Sequence, residues 1–305
     1  MEPKEYSQVR YLSSKKSVDD ESLNRKVLDS LEERSEDLEL KRDFEVLEVG
    51  AGIGCMLERC IQWGILPSNT SYTAVEIDED AVETGKKRLK EFAEDRGYST
   101  HQNNSGIILN KPDRSFTIEF KKENAFEFIR ESDKKYDLLI AHAFLDLVDL
   151  DKAMPLLLSI LKPNGLFYFP ITFDGVTSFR PEVDHSLDLK VERIYHENMG
   201  RKDNGELKRS DSIAGRRLFD QIAKMNAEII NAGSSDWVVY PGRNGYDKDI
   251  EYFLHHIINL VKNSIEGSDQ ISEEKVEEWA LTRHEQIENQ ELVYIAHQLD
   301  FLGKV

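Results

Sequence analysis

Three glycines at alternate positions, Gly50, Gly52 and Gly54, follow directly on the run Phe44-Glu45-Val46-Leu47-Glu48-Val49. No other feature limits so sharply what this chain can fold into. The run is apolar and rich in β-formers, and its closure by glycines is a strand signal. After the glycines, Ile53, Met56, Leu57, Cys60 and Ile61 recur at the i, i+3, i+4, i+7, i+8 spacing of one buried helical face. A strand that turns at once into a helix needs glycine where φ is positive and where a ligand approaches the backbone. The spacing also excludes something: a dinucleotide fingerprint G-x-G-x-x-G requires its third glycine at the position held by Cys55.

The same alternation continues along the chain. A second strand at Tyr72 to Ile77 leads into a charged helix at about Ala81 to Arg96 and then a polar stretch with turn signals at Asn103-Asn104-Ser105-Gly106. Strands are predicted at Phe116 to Phe120, Tyr136 to Ala141 and Leu166 to Ile171, separated by helices near Ala125 to Glu131 and Ala153 to Leu161. Such alternation implies parallel pairing and right-handed crossovers. The expected fold is therefore α/β, a doubly wound, mostly parallel seven-stranded sheet with helices on both faces. Residues 1 to 43 form an N-terminal helical cap in this reading. Within them Leu23, Val27 and Leu31 recur at helical spacing behind a capping box at Ser17-Val18-Asp19-Asp20. Residues 44 to 305 form the main domain. Near its end a helix at Arg216 to Ala232 precedes a strand at Asp236 to Tyr240. Two helices, an insertion at about 246 to 290, then separate that strand from a last one at Leu292 to Ala296. They would wall or lid the ligand edge of the sheet.

Composition narrows the partners. The 305 residues carry 58 Asp and Glu against 40 Lys and Arg, a formal charge of -18 that disfavours a polyphosphate partner. The densest basic stretch, Lys190 to Arg217, interleaves Arg193, Arg201, Lys202, Lys208, Arg209, Arg216 and Arg217 with acids and reads as a solvated face. No apolar run approaches the roughly 18 to 20 residues that a membrane span requires, and the first residues lack a secretory h-region. The two cysteines, Cys55 and Cys60, fall on one helix and make no disulfide framework. A soluble, cytoplasmic protein is expected. No His, Cys and carboxylate cluster has metal-ligand spacing.

Glu76 stands at the tip of the second strand, 26 positions after Gly50. A carboxylate there can accept from both hydroxyls of an adenosine ribose. Beyond the third strand comes Glu123-Asn124-Ala125-Phe126; the fourth strand ends in Ala141-His142-Ala143, then Leu145-Asp146-Leu147; Leu161-Lys162-Pro163-Asn164-Gly165 introduces the fifth. In order and spacing these segments, spanning about residues 44 to 172, resemble the successive motifs of class I S-adenosylmethionine-dependent methyltransferases. The resemblance implies that Glu48, Gly50, Gly52 and Gly54 cradle the methionine part of S-adenosylmethionine. It also implies that Glu76 holds the ribose, that Ile77 flanks the adenine and that Asn124 with the Ala125 backbone meets its edge. His142 and Ala143 would lie near the sulfonium. Asn124 stands where the family commonly has Asp, and the Asn/Asp-Pro-Pro-aromatic signature of many amino and amide methyltransferases is missing from the fourth strand. That argues against methylation of nucleobase or glutamine amino groups.

Methyl transfer is an in-line displacement, so alignment matters most and a base is needed only where the acceptor carries a proton. His142 is the candidate base or orienting group, or else packs beneath the cofactor. Asp146 and Asp149 assist it, or cap helices. Arg283 falls on the inward stripe of Val276, Trp279 and Ala280, where it grips a substrate anion or pairs with a buried acid. Trp237 and His297 adjoin the last strands and line a pocket or fill the core. His255 and His256 flank the apolar stripe Ile250, Phe253, Leu254, Ile257, Ile258 and Val261, and read as surface or interface residues. The expected activity is methyl transfer to the O or N of a small molecule, with nucleic acid disfavoured and a homodimer open. The alternatives are a methyltransferase acting on protein or RNA, an NAD-dependent dehydrogenase, and a non-catalytic cofactor-binding protein.

Overall fold

The computed structural model describes residues 2–39, 43–103, 106–199 and 211–305. Two helices, α1 (Gln8–Ser22) and α2 (Arg25–Glu39), precede β1 (Phe44–Val49), α3 (Cys55–Gln62), β2 (Asn69–Glu76) and α4 (Glu79–Asp95). Then come β3 (Ser99–Asn103), β4 (Gly106–Lys111), β5 (Arg114–Lys122), α5 (Ala125–Glu131), β6 (Tyr136–Ile140), a 3₁₀ turn at Leu145–Leu147, and α6 (Leu150–Ser159). The remainder is β7 (Leu161–Arg180), α7 (His185–Met199), α8 (Ala214–Lys224), β8 (Glu228–Ser234), β9 (Trp237–Val239), α9 (Lys248–Ile265), α10 (Glu273–Glu288) and β10 (Val293–Lys304).

One sheet runs in the order β3-β4-β5-β2-β1-β6-β7-β10-β8, with β9 also on β10. Its centre, β5 through β7, is parallel throughout. Both flanks are antiparallel. The sheet has ten strands where seven were expected, and its parallel pairing is confined to the middle. Along β1 and β6 the side chains alternate between two cores. Val46, Leu138 and Ile140 face α3, α4, α9 and the N-terminal helices. Leu47, Val49, Leu139 and Ala141 face α5, α6 and α8. Burial on both faces is why apolar residues of these strands fall at both parities, without a strict polar alternation.

The departures from expectation have local causes. The β3–β4 hairpin escaped notice because all five residues of β3 are exposed, so no apolar alternation marks it. The segment expected to continue a helix to Ala232 turns at Asn226 (φ 54°) into β8, an edge strand against β10. At the N-terminus the expected capping box lies inside α1. The Asp19 carboxylate is engaged by Lys15 one turn earlier (2.7 Å), and the break falls at Asn24, whose side chain accepts from the Val27 N–H (3.2 Å) and so starts α2. Helix α7 was unforeseen because only Val191, Ile194 and the carboxylate of Asp188 are buried on it. In the basic stretch Arg216 pairs with Asp174 (2.9 Å) and Arg217 with Asp151 (2.8 Å). Arg201, Lys202, Lys208 and Arg209, like Asn104 and Ser105, lie outside the described residues. Among the described residues no helix is long and apolar enough to cross a membrane.

Candidate functional site

Strand order reverses between β1 and β6, since the chain builds outward from β1 to β2 and β5 before crossing back. In open α/β sheets the crevice at the carboxyl end of such a switch point receives ligands. Here it opens into a cleft of about 970 Å³, near the top of the roughly 300–1,000 Å³ usual for small-molecule sites.

One end of the cleft is backbone. Gly50, Gly52 and Gly54 all have positive φ (66°, 53° and 78°). A Cβ on Gly50 would lie 2.6 Å from the Phe144 ring, and one on Gly52 would lie 3.2 Å from Leu12 of α1. Glu76 ties this loop to the neighbouring strand, as one carboxylate oxygen accepts from the Gly52 N–H (2.9 Å) and the other from the N–H groups of Ile77 (2.8 Å) and Asp78 (3.0 Å). Ile77, Asn124, Ala125, His142 and Ala143 line the same cleft. Asn124 caps α5, its side-chain oxygen accepting from Phe126 (2.9 Å) and Glu127 (3.3 Å). That oxygen therefore also serves as the N-cap of α5. Ala143 holds an uncommon positive φ of 49° at the end of β6.

The other end is built from side chains of distant elements. Tyr11, Lys15 and Asp19 of α1 enter it with Tyr195 of α7, Trp237 of β9, and His256, Asn259 and Asn263 of α9. Asp19 is the hub. Besides Lys15 it meets Arg59 (3.4 Å) and accepts from the Trp237 indole N–H (3.1 Å), while His142 Nε2 stands 3.3 Å away without hydrogen-bond alignment. Burial would raise the Asp19 carboxyl, but Lys15, His142 and Arg59 outweigh it and hold it well below the carboxylate range. Burial, then Lys15, pushes His142 down to about 4. Asp146 moves the other way, its burial raising it to about 6. His256 stacks on Tyr11 with ring centres 4.2 Å apart.

Several expected site residues lie elsewhere. Glu48 is buried beneath the sheet, accepting from the Tyr72 hydroxyl (2.7 Å), and burial lifts it to about 8. It is not among the residues that line the cleft, although on β1 it shares the face of Val46. Gly54 is the N-cap of α3, at φ 78°, and is not among the residues that line the cleft. Arg283 is fully buried outside the cleft, donating to Asp188 (2.6 Å), Gln286 (2.7 Å) and the Pro181 carbonyl (2.6 Å); it is the ion pair, not the anion grip. His297 bonds Asp236 (2.7 Å), also away from the cleft. His255, expected at the surface, is buried with its Nδ1 2.8 Å from that of His284, and His256 belongs to the cleft wall. The missed cleft residues did leave a trace: Tyr11, Lys15 and Asp19 repeat every four residues, and His256, Asn259 and Asn263 sit at i, i+3, i+7 beside an apolar stripe.

No protein-family profile matches the chain, and no curated protein does. Solved structures do resemble it. A SAM-dependent methyltransferase from Thiobacillus denitrificans, in complex with S-adenosyl-L-homocysteine, is 13% identical, with 92% of each chain covered and a TM-score of 0.45. The cyclopropane synthase MmaA2 from Mycobacterium tuberculosis is 12% identical over 90% of this chain and 83% of its own, TM-score 0.45. A SAM-dependent methyltransferase from Geobacter sulfurreducens is 12% identical over 92% and 91%, TM-score 0.41. Likeness at these levels says nothing about chemistry, and the functional reading rests on the cleft.

Proposed function

We propose that this chain is an S-adenosylmethionine-dependent methyltransferase acting on a small molecule. One observation carries the proposal: at the switch point, two glycines at positive φ, where a Cβ would press on Phe144 and Leu12, open onto a cleft shared with the Glu76 carboxylate. The residues fit the cofactor. Glu76, fixed by three backbone N–H groups, accepts from ribose; Ala125, first in α5, has an N–H with no acceptor inside its helix and meets the adenine edge; Ile77, 54% exposed, covers the base. Bound there, S-adenosylmethionine supplies a methyl group activated by its sulfonium.

The wall argues for a small acceptor, because α1 and α9, packed on each other, both line the cleft and narrow the way in for a macromolecule. His142, at about 4, is neutral but a poor proton acceptor near neutrality, so its role is to shape the site. Asp146, at about 6, is better matched to proton removal.

Calorimetry with S-adenosylmethionine, S-adenosylhomocysteine and NAD tests the assignment. The first two are expected to bind and NAD not to. Gly50→Val, which forces a Cβ into Phe144, is expected to abolish binding; tight NAD binding, or unchanged affinity in that variant, would overturn the reading.

A further inference from the structure

We infer that the acceptor is a small amine, presented as an ammonium that the cleft receives between the Asp146 carboxylate and the rings of Tyr11 and Tyr195. The inference rests on the methyltransferase reading and names its substrate class.

Charge makes the first argument. Among the described residues lining the cleft, Lys15 is the only lysine or arginine, whereas Asp19, Glu76, Asp78, Glu123 and Asp146 all contribute carboxylates. Lys15 is already neutralised by Asp19. An anionic acceptor would therefore be desolvated against carboxylates with no free cation to meet it, at a cost of several kcal/mol. The positions of the carboxylates make the second argument. Glu76 binds the glycine loop and Asp78 caps α4 through the Ala81 N–H (2.8 Å). Glu123 sits beside Asn124 at the far end, and Asp19 is paired. Asp146 remains at the acceptor end, in no salt bridge among the described residues, although the charge of Lys15 also acts on it.

Its surroundings suit a cation. Tyr11 and Tyr195 line the same cleft as Asp146, and aromatic faces attract a desolvated ammonium. The remaining groups that face Asp146 are Lys15 of α1 and Asp211 ahead of α8. Proton chemistry makes the third argument, since an ammonium gives up its proton to a carboxylate far more readily than an alcohol does. In the step, the ammonium passes one proton to Asp146 and keeps the electron pair. The nitrogen then forms its bond to the methyl carbon as the C–S bond breaks, that pair goes to sulfur, and an N-methylammonium and a thioether result. Asp146 returns its proton to water.

Calorimetric titration of the whole protein, with and without S-adenosylhomocysteine, provides the test. The probes are phenethylamine, butylamine, the isosteric alcohols 2-phenylethanol and 1-butanol, and the anion 3-phenylpropanoate. At pH 7.5 each amine is expected to bind at least about ten-fold more tightly than its alcohol or carboxylate counterpart. The amines stay protonated between pH 5 and 7.5, whereas Asp146 loses its charge below about 6, so the preference is expected to fall about ten-fold at pH 5. Asp146→Asn is expected to erase both the preference and its pH dependence while keeping its affinity for S-adenosylhomocysteine, which also shows that the variant is folded. Failure of the amines to bind, equal or tighter binding of the alcohols or the carboxylate, or a preference that survives in Asp146→Asn would overturn the inference. Failure of S-adenosylhomocysteine to bind would instead remove the methyltransferase reading beneath it.

Discussion

At the glycine-loop end of the cleft, the shape is set by backbone: positive φ values, helix caps and N–H groups gathered by one carboxylate, all within residues 50 to 78. At the α1 end it is set by charge: Lys15, Asp19, Arg59, Trp237 and His142 converge from four separate segments. The first end is a local property of the chain and is sensitive to where a Cβ can go. The second exists only when remote elements dock, and its groups are held by mutual neutralisation out of water. Chemistry that every member of a cofactor class shares can be local in this way, while selection of one acceptor is spread over the fold.

Four measurements break or sharpen that contrast. Asp19→Ala is expected to have the largest effect, about 3–5 kcal/mol of lost stability in denaturant unfolding, because Lys15, 6% exposed, is left buried without its partner. A loss under about 1 kcal/mol would mean that the α1 end is solvated and not charge-organised. Glu76→Ala is expected to weaken S-adenosylhomocysteine by roughly 10- to 100-fold, the worth of about 1.5–3 kcal/mol for a hydrogen bond to a charged group, while shifting stability less than Asp19→Ala does. Equal effects on stability would erase the distinction between the two ends.

Glu48→Gln tests a buried group that neither end uses. The folded protein keeps a proton on Glu48 up to about 8, whereas the unfolded chain releases it near about 4.3. The unfolded state thus binds fewer protons across that window, and stability falls as pH rises through it. Gln removes this loss, so melting curves are expected to show a gain that is small at pH 5 and grows toward pH 8. A gain independent of pH would contradict the protonated state. The smallest effect belongs to His142→Ala. With its ionisation near 4, no limb of a pH–rate profile above about pH 5.5 is expected to vanish. Loss of a limb near 6.5 would restore His142 as the base in place of Asp146.

The parallel core was legible because burial on both faces leaves apolar runs such as Leu166–Phe169. The glycine loop and Glu76 were legible because strand, turn and carboxylate lie close together in the chain. Edge structure was not: β3 is exposed along its whole length, and the residues of β8 other than its two exposed ends are only partly buried, so neither pattern separates strand from loop or helix. Arg283 was rightly placed facing inward, but helical phase cannot tell an arginine aimed at a ligand from one aimed at Asp188 on another helix. The α1 end was hidden for a related reason. Asp19 followed by a helical stripe looks like a cap, and only the three-dimensional meeting with Arg59 and Trp237 makes it a hub.

Helix α1 rests Leu12 on Gly52 while sending Tyr11, Lys15 and Asp19 into the cleft. Docking of the first 22 residues and occupancy of the cleft therefore share one equilibrium. Linkage makes that coupling reciprocal: whatever factor an occupant contributes to the docking equilibrium of α1 is the factor by which detaching α1 weakens the occupant's binding. Affinity here is partly a property of the amino terminus.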